Sequence, residues 1–149
     1  MRQVILLALA FAVGGTAFAQ SSANELDKAS AILADVKSTV APDGRQAIFT
    51  LKAYHNPDGV LVVGGEASDS AAVKAAREAL AYGGLEYADS IALLPYDVWA
   101  QVRIPVASLR TGGRHAAEMA TQAVMGTPLR VLQKAKEWWQ VQTPDGYIA

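Results

Sequence analysis

The stretch that decides this chain is its last one, G-T-P-L-R-V-L-Q-K-A-K-E-W-W-Q-V-Q-T-P-D-G-Y-I-A, from Gly126 to Ala149. It reads as two hydrophobic strands followed by a tight turn, Thr143-Pro144-Asp145-Gly146, that opens a third. Strand side chains alternate between faces, so Leu129 and Val131 share one side and Trp139 and Val141 share another. Pro144 presets φ, Asp145 bonds locally and Gly146 frees φ, which together make a turn. Combined with Trp99 to Arg110 upstream, this predicts a small, strongly bent sheet of short strands curled into a barrel.

A resemblance rests on these residues. V-A-S-L-R at Val106 to Arg110, T-Q-A-V-M-G-T-P-L-R-V-L at Thr121 to Leu132, W-W-Q-V-Q at Trp138 to Gln142 and T-P-D-G-Y-I at Thr143 to Ile148 are similar to a bacterial SH3 domain. More narrowly, they resemble the SH3 domain that precedes the catalytic domain of NlpC-type cell-wall cysteine peptidases. In such peptidases the SH3 domain shapes substrate entry and the catalytic Cys and His lie downstream. The resemblance also implies one more strand after G-Y-I, so the expectation is a barrel truncated at its C-terminus.

The chain has 149 residues, room for one ordinary domain or two small ones. Arg2, the apolar run Val4 to Val13 and Ala17-Phe18-Ala19 before Gln20 have the order of a secretory signal peptide, with cleavage after Ala19. The apolar run is shorter than the roughly 20 residues a membrane span needs. The expected location is therefore exported, periplasmic or extracellular, with no stable membrane span after cleavage. The sequence contains no cysteine, which excludes disulfides, a Cys-His nucleophile pair and a thiolate metal site. From Gln20 to Val102 there are 6 basic and 11 acidic residues, and from Arg103 to Ala149 there are 6 and 3. A basic C-terminal part beside an acidic one suits an anionic envelope polymer, whereas export argues against nucleic acid.

Upstream, Asn24 is placed to cap a helix starting at Glu25. Leu26, Ala29, Leu33, Val36 and Val40 recur at helical spacing, and Ala41-Pro42-Asp43-Gly44 ends the run. A strand follows over Gln46 to Tyr54, then a hairpin loop His55 to Gly59, then Val60 to Val63 closed by Gly64-Gly65. A second helix is predicted over Ser70 to Tyr82, capped by Asp69 or Ser68, burying Ala72, Val73, Ala76 and Leu80. Gly83-Gly84 stops it, and Leu85 to Leu94 is the third strand. The order α-β-β-α-β predicts an α+β unit with helices on one face of a small sheet. Its D-G-V-L-V-V-G-G-E at Asp58 to Glu66, followed by an Ala-rich helix, resembles a BON domain, a small module of envelope proteins. The predicted architecture is thus a signal peptide at 1–19, a BON-like α+β domain at 24–95 and an all-β SH3-like barrel at 99–149.

His55 and His115 fall in separate loops without carboxylates at ligand spacing, so no metal site is predicted. No G-x-S-x-G elbow, phosphate-binding glycine motif or paired carboxylate emerges. The chain is expected to be non-catalytic and free of cofactors. The binding candidate is aromatic. Trp139 is expected to travel with Val141 into the core, leaving Trp138 outside beside Gln140 and Gln142. With Arg110, Arg114 and Tyr147, Trp138 would form a platform for a sugar or short peptide. Trp99, Met119 and Met125 are expected in the core, and Thr111 to Glu118 is expected to be the mobile loop. Peptidoglycan or a wall peptide is the expected partner. The alternatives are the targeting and substrate-gating front of an NlpC-type peptidase that meets its catalytic domain, and a protein scaffold.

Overall fold

The computed structural model of the chain describes residues 14–149. The apolar run assigned to the signal peptide, Val4 to Val13, lies outside the described residues, while the expected cleavage point falls inside the first helix, α1 (Gly14–Val40). That helix does not start at Glu25. No Gly or Pro interrupts Ala17 to Val40, so nothing stops the helix from running through Asn24, which is interior rather than a cap.

Two strands, β1 (Lys52–His55) and β2 (Leu61–Ala67), form an antiparallel hairpin. The turn between them is closed by Asn56, whose side chain accepts from the Asp58 and Val60 amides. Helix α2 (Ser70–Tyr82) then carries the chain to β3 (Ala88–Leu93), which pairs parallel to β2, giving the order β1-β2-β3. Asp69 caps α2, its carboxylate accepting from the Ala71 amide at 2.8 Å. The buried side of α2 is Ala72, Val73, Ala76 and Leu80, the stripe its spacing predicted. With Ala29, Leu33 and Val36 of α1 and with Phe49, Leu51, Leu61 and Val63, most of this stripe closes the first core.

The sequence placed the end of β2 at Gly64-Gly65, yet the strand continues to Ala67. The glycines serve a crossing rather than a stop. At Gly65 (φ 129°) an added Cβ would lie 2.6 Å from the Thr50 carbonyl oxygen, so the incoming backbone crosses where only hydrogen fits. Thr50 locks the crossing, its amide donating to the Glu66 carbonyl and its Oγ1 accepting from the Glu66 amide. Phe49 bridges to Ala67 beyond it. This crossing breaks the long strand expected over Gln46 to Tyr54, leaving β1 with four residues.

The second unit has five strands: β4 (Trp99–Gln101), β5 (Val106–Arg110), β6 (Met119–Val124), β7 (Pro128–Ala135) and β8 (Trp138–Gln142). They do not close into one barrel. They form a sheet of order β4-β7-β8 and a separate hairpin β5-β6. The turn at Gly126 (φ 89°) sends the chain from the hairpin into the other sheet, so β6 and β7, though successive, are not ladder neighbours. The two sheets share a core of Val102, Ala123, Leu129, Val131 and Val141, with Ala107 and Leu109 against it.

Three expected core residues are instead exposed. Trp99 projects from β4, the short edge strand, beside Arg130, while Met119 opens β6 and Met125 follows its last residue. Each sits where the sheet extends beyond its apolar filling.

Polar contacts join the units. Arg130 of β7 donates from Nη2 to the Ser68 carbonyl at 2.8 Å, from Nε to the Pro95 carbonyl at 2.9 Å and from Nη1 to Gln142 Oε1 at 3.2 Å. Gln142 in turn donates to the Gln46 carbonyl at 2.9 Å. Among the described residues no helix is long and apolar enough to cross a membrane.

Candidate functional site

After β8 the turn Thr143 to Gly146 reverses the chain onto the free edge of that strand. Thr143 is buried and donates through both its amide and its hydroxyl to the Tyr147 carbonyl. Val141 and Ala149 then exchange a pair of backbone bonds, at 2.8 and 3.0 Å. The predicted third strand is thus present as a short bridge, Gln142 to Ile148. Its outer side leans on the loop after α1, where the Ile148 amide donates to the Arg45 carbonyl at 2.7 Å.

Where the ladder stays open, between the β5-β6 hairpin on one side and β8 with the tail on the other, lies a cleft of about 890 Å³. Trp138, Trp139, Tyr147, Arg110 and, from the first unit, Arg45 line it. The structure therefore brings together three of the four residues singled out in the sequence, Arg110, Trp138 and Tyr147. Arg114 is exposed on the loop and does not line the cleft.

The two tryptophans exchange the environments expected of them. Trp138 is half-buried: its indole packs against Gly113 and meets the His115 ring edge-on at 5.1 Å. A Cβ on Gly113 would come within 3.1 Å of Trp138, so a glycine lets the loop lie this close. Trp139, expected in the core, is 55% exposed, with the Lys134 ammonium 5.0 Å from its ring centre. Face alternation itself holds, since Val141 on the side of Trp139 is buried. The β7-β8 hairpin overshoots the core at its tip, so the inward face there has nothing above it. The Thr111 to Glu118 loop folds over the other face.

That loop is tied down rather than free. Arg110 Nη1 donates to the Ala117 carbonyl at 2.7 Å, the Thr111 amide donates to the Glu118 carbonyl at 2.9 Å, and Ala117 is buried beneath it. Opposite, Asp43 holds the Arg45 guanidinium through Nε and Nη2, the shortest contact being 2.8 Å. This pairing lowers the Asp43 pKa from the ordinary carboxylate range and raises that of Arg45. The same guanidinium lies 6.0 Å from the centre of the Tyr147 ring. Sequence reading missed Arg45, because nothing in the chain order announces that the loop after α1 reaches the C-terminal tail.

Among the described residues no three His, Cys, Asp or Glu side chains are placed to share a metal ion. His55 ends β1 and His115 lies in the loop over Trp138, in different units.

No curated protein matches the chain. The family model of the bacterial dipeptidyl-peptidase SH3 domain matches residues 109–149, from within β5 to the last residue, and so takes in most of the cleft lining. The C-terminal part of this chain is accordingly similar to a bacterial SH3 domain of the peptidase-associated type.

Proposed function

We propose that this chain is a non-catalytic, exported accessory module of the bacterial envelope, whose SH3-like part binds peptidoglycan or a wall peptide in the cleft beside β8. The observation that carries the reading is the coincidence of two things. The segment similar to a peptidase-associated SH3 domain holds an open cleft, and that cleft concentrates three aromatic rings, Trp138, Trp139 and Tyr147, beside Arg110. Aromatic walls with a few polar groups suit a sugar or short peptide. The absence of cysteine supports a binding role over thiol hydrolysis. Export is supported by the N-terminal charge, apolar run and A-F-A site. A BON-like role for the front unit is supported by its α-β-β-α-β order and the D-G-V-L-V-V-G-G-E run.

Co-sedimentation with purified, protein-free peptidoglycan sacculi tests the reading. The parent protein is expected in the pellet and the Tyr147→Ala variant is expected to be depleted from it. A parent that stays wholly in the supernatant at moderate salt overturns the proposal.

A second reading takes the chain as the front of an NlpC-type peptidase. It is favoured by the matched domain being that of a dipeptidyl-peptidase. An antibody against the β5-β6 hairpin would then detect, in the native host, a band well above 15.7 kDa. A band at or below that mass removes this alternative.

A further inference from the structure

The sheet of the first unit is covered on one face. Both helices lie on the face that carries Leu51, Ala53, Leu61, Val63 and Ile91. Alternation puts Lys52 and Tyr54 of β1 on the other face, and register sets Gly64 and Glu66 of β2 and Ser90 and Ala92 of β3 beside them. Among the described residues no strand of the second unit packs on this face.

The uncovered face has both relief and charge. Tyr54 forms a ridge, 47% exposed, and its hydroxyl oxygen lies 3.4 Å from where a Cβ on Gly64 would sit. Beyond Gly64, β3 offers the small side chains of Ser90 and Ala92, both exposed, so a shallow trough runs beside the ridge. Lys52 lies opposite Gly64, and Glu66 is two residues farther along β2, a diagonal spacing of about 7–8 Å. They do not pair. The ion pairs among the described residues are Asp43–Arg45, Lys74–Glu78 and Arg77–Asp89, so the Lys52 ammonium and the Glu66 carboxylate each lack a counter-charge.

We infer that two copies of this chain meet through that face, sheet against sheet about a two-fold axis. In such a contact every meeting of one residue with another is repeated in reverse. An axis lying between Lys52 and Glu66 brings Lys52 of each copy to Glu66 of the other. With strands about 4.8 Å apart and successive residues of one face about 6.7 Å apart, the same rotation carries the Tyr54 ring onto Ser90 and Ala92 of the second copy. One operation thus matches the charges and the relief together. It also turns the strands of the two sheets to near a right angle, one of the two ways in which sheets stack. Three short strands offer less than the roughly 800 Å² per partner of a stable complex, so the dimer is weak, with a Kd of roughly 0.1 mM.

Sedimentation equilibrium of the full chain, at concentrations from about 10 µM to about 1 mM, tests the contact. The expected result is a mass that rises from the 15.7 kDa of one chain toward twice that value. Lys52→Glu and Glu66→Lys should each weaken association about tenfold or more, because each sets like charges against one another at both ends of the contact. Mixed together, the two variants should associate again, since every contact between them rejoins opposite charges. A folding defect would not be reversed in this way. Tyr54→Ala should weaken association about tenfold with an unchanged circular dichroism spectrum. Lys74→Glu, on α2 and away from the face, should leave association as it is. A chain that stays at 15.7 kDa throughout overturns the proposal and leaves the face to another partner. So does a mixture of the two charge variants that stays monomeric. Association that survives Tyr54→Ala and both charge reversals overturns it as well, because the contact then lies elsewhere.

Discussion

At the scale of single residues, Gly65 and Leu80 carry the sharpest expectations. Gly65 combines a left-handed φ of 129° with a backbone oxygen 2.6 Å from where a Cβ would sit. Gly65→Ala should therefore destabilise the fold by about 2–4 kcal/mol, read from urea unfolding. Gly59, also at positive φ but with open space around it, should tolerate the same change with a smaller loss. Leu80 is fully buried between the helices and the sheet, and Leu80→Ala should cost about 2–5 kcal/mol by the same measurement. Leu80 was readable from helical spacing alone. The role of Gly65 was not, because sequence marks a glycine but not the strand that passes over it.

At the scale of elements, α2 is fastened to β3 by Arg77 Nε and Asp89 Oδ2 at 2.7 Å. That hydrogen bond, ahead of burial acting in the opposite sense, lowers the Asp89 pKa, and it raises that of Arg77. Because the folded-state pKa of Asp89 is depressed, its contribution is fully present above the unfolded carboxylate pKa, about 3.9, and is lost as pH falls through the folded value. The side chains are 49% and 37% exposed, so solvent screening holds the contribution to about 1 kcal/mol at most. Melting curves should show a decline in Tm below about pH 4 that is smaller in Asp89→Asn than in the parent. The paired carboxylate of Asp43, also lowered, adds to the decline in both proteins and leaves that difference in place. Among the described side chains of α1, those packed on the core begin at Leu26. A chain starting at Gln20 should accordingly melt at the same temperature as the full one, so cleavage after Ala19 would leave the fold intact.

At the scale of the whole molecule, the two units meet through Arg130, whose guanidinium joins the carbonyls of Ser68 and Pro95 to the Gln142 side chain. Tyr96, between the units, is 71% exposed and is the natural point for chymotrypsin to report on their docking. In Arg130→Met, nicking at Tyr96 should be measurably faster than in the parent while each core stays folded. Equal rates would mean that the contact adds little to docking. The same docking brings Arg45 against Tyr147 and gives the cleft a wall from the first unit. Loosening it should also weaken retention on sacculi.

Periodicity and turn chemistry determined the order of the elements in this protein, though not where α1 starts or where β1 and β2 end, because helical stripes, strand alternation and the P-D-G turn are local properties of chain and side chain. They also brought Arg110, Arg114, Trp138 and Tyr147 forward as one group, and the cleft gathers all of them but Arg114. What only the tertiary structure decided is which face of each strand is covered. Alternation sets Trp138 and Trp139 on opposite sides, but a distant loop hides the first and the overshoot of a hairpin past its core exposes the second. The separation into two sheets and the arrival of Arg45 have the same physical origin: both depend on segments far apart in sequence meeting in space.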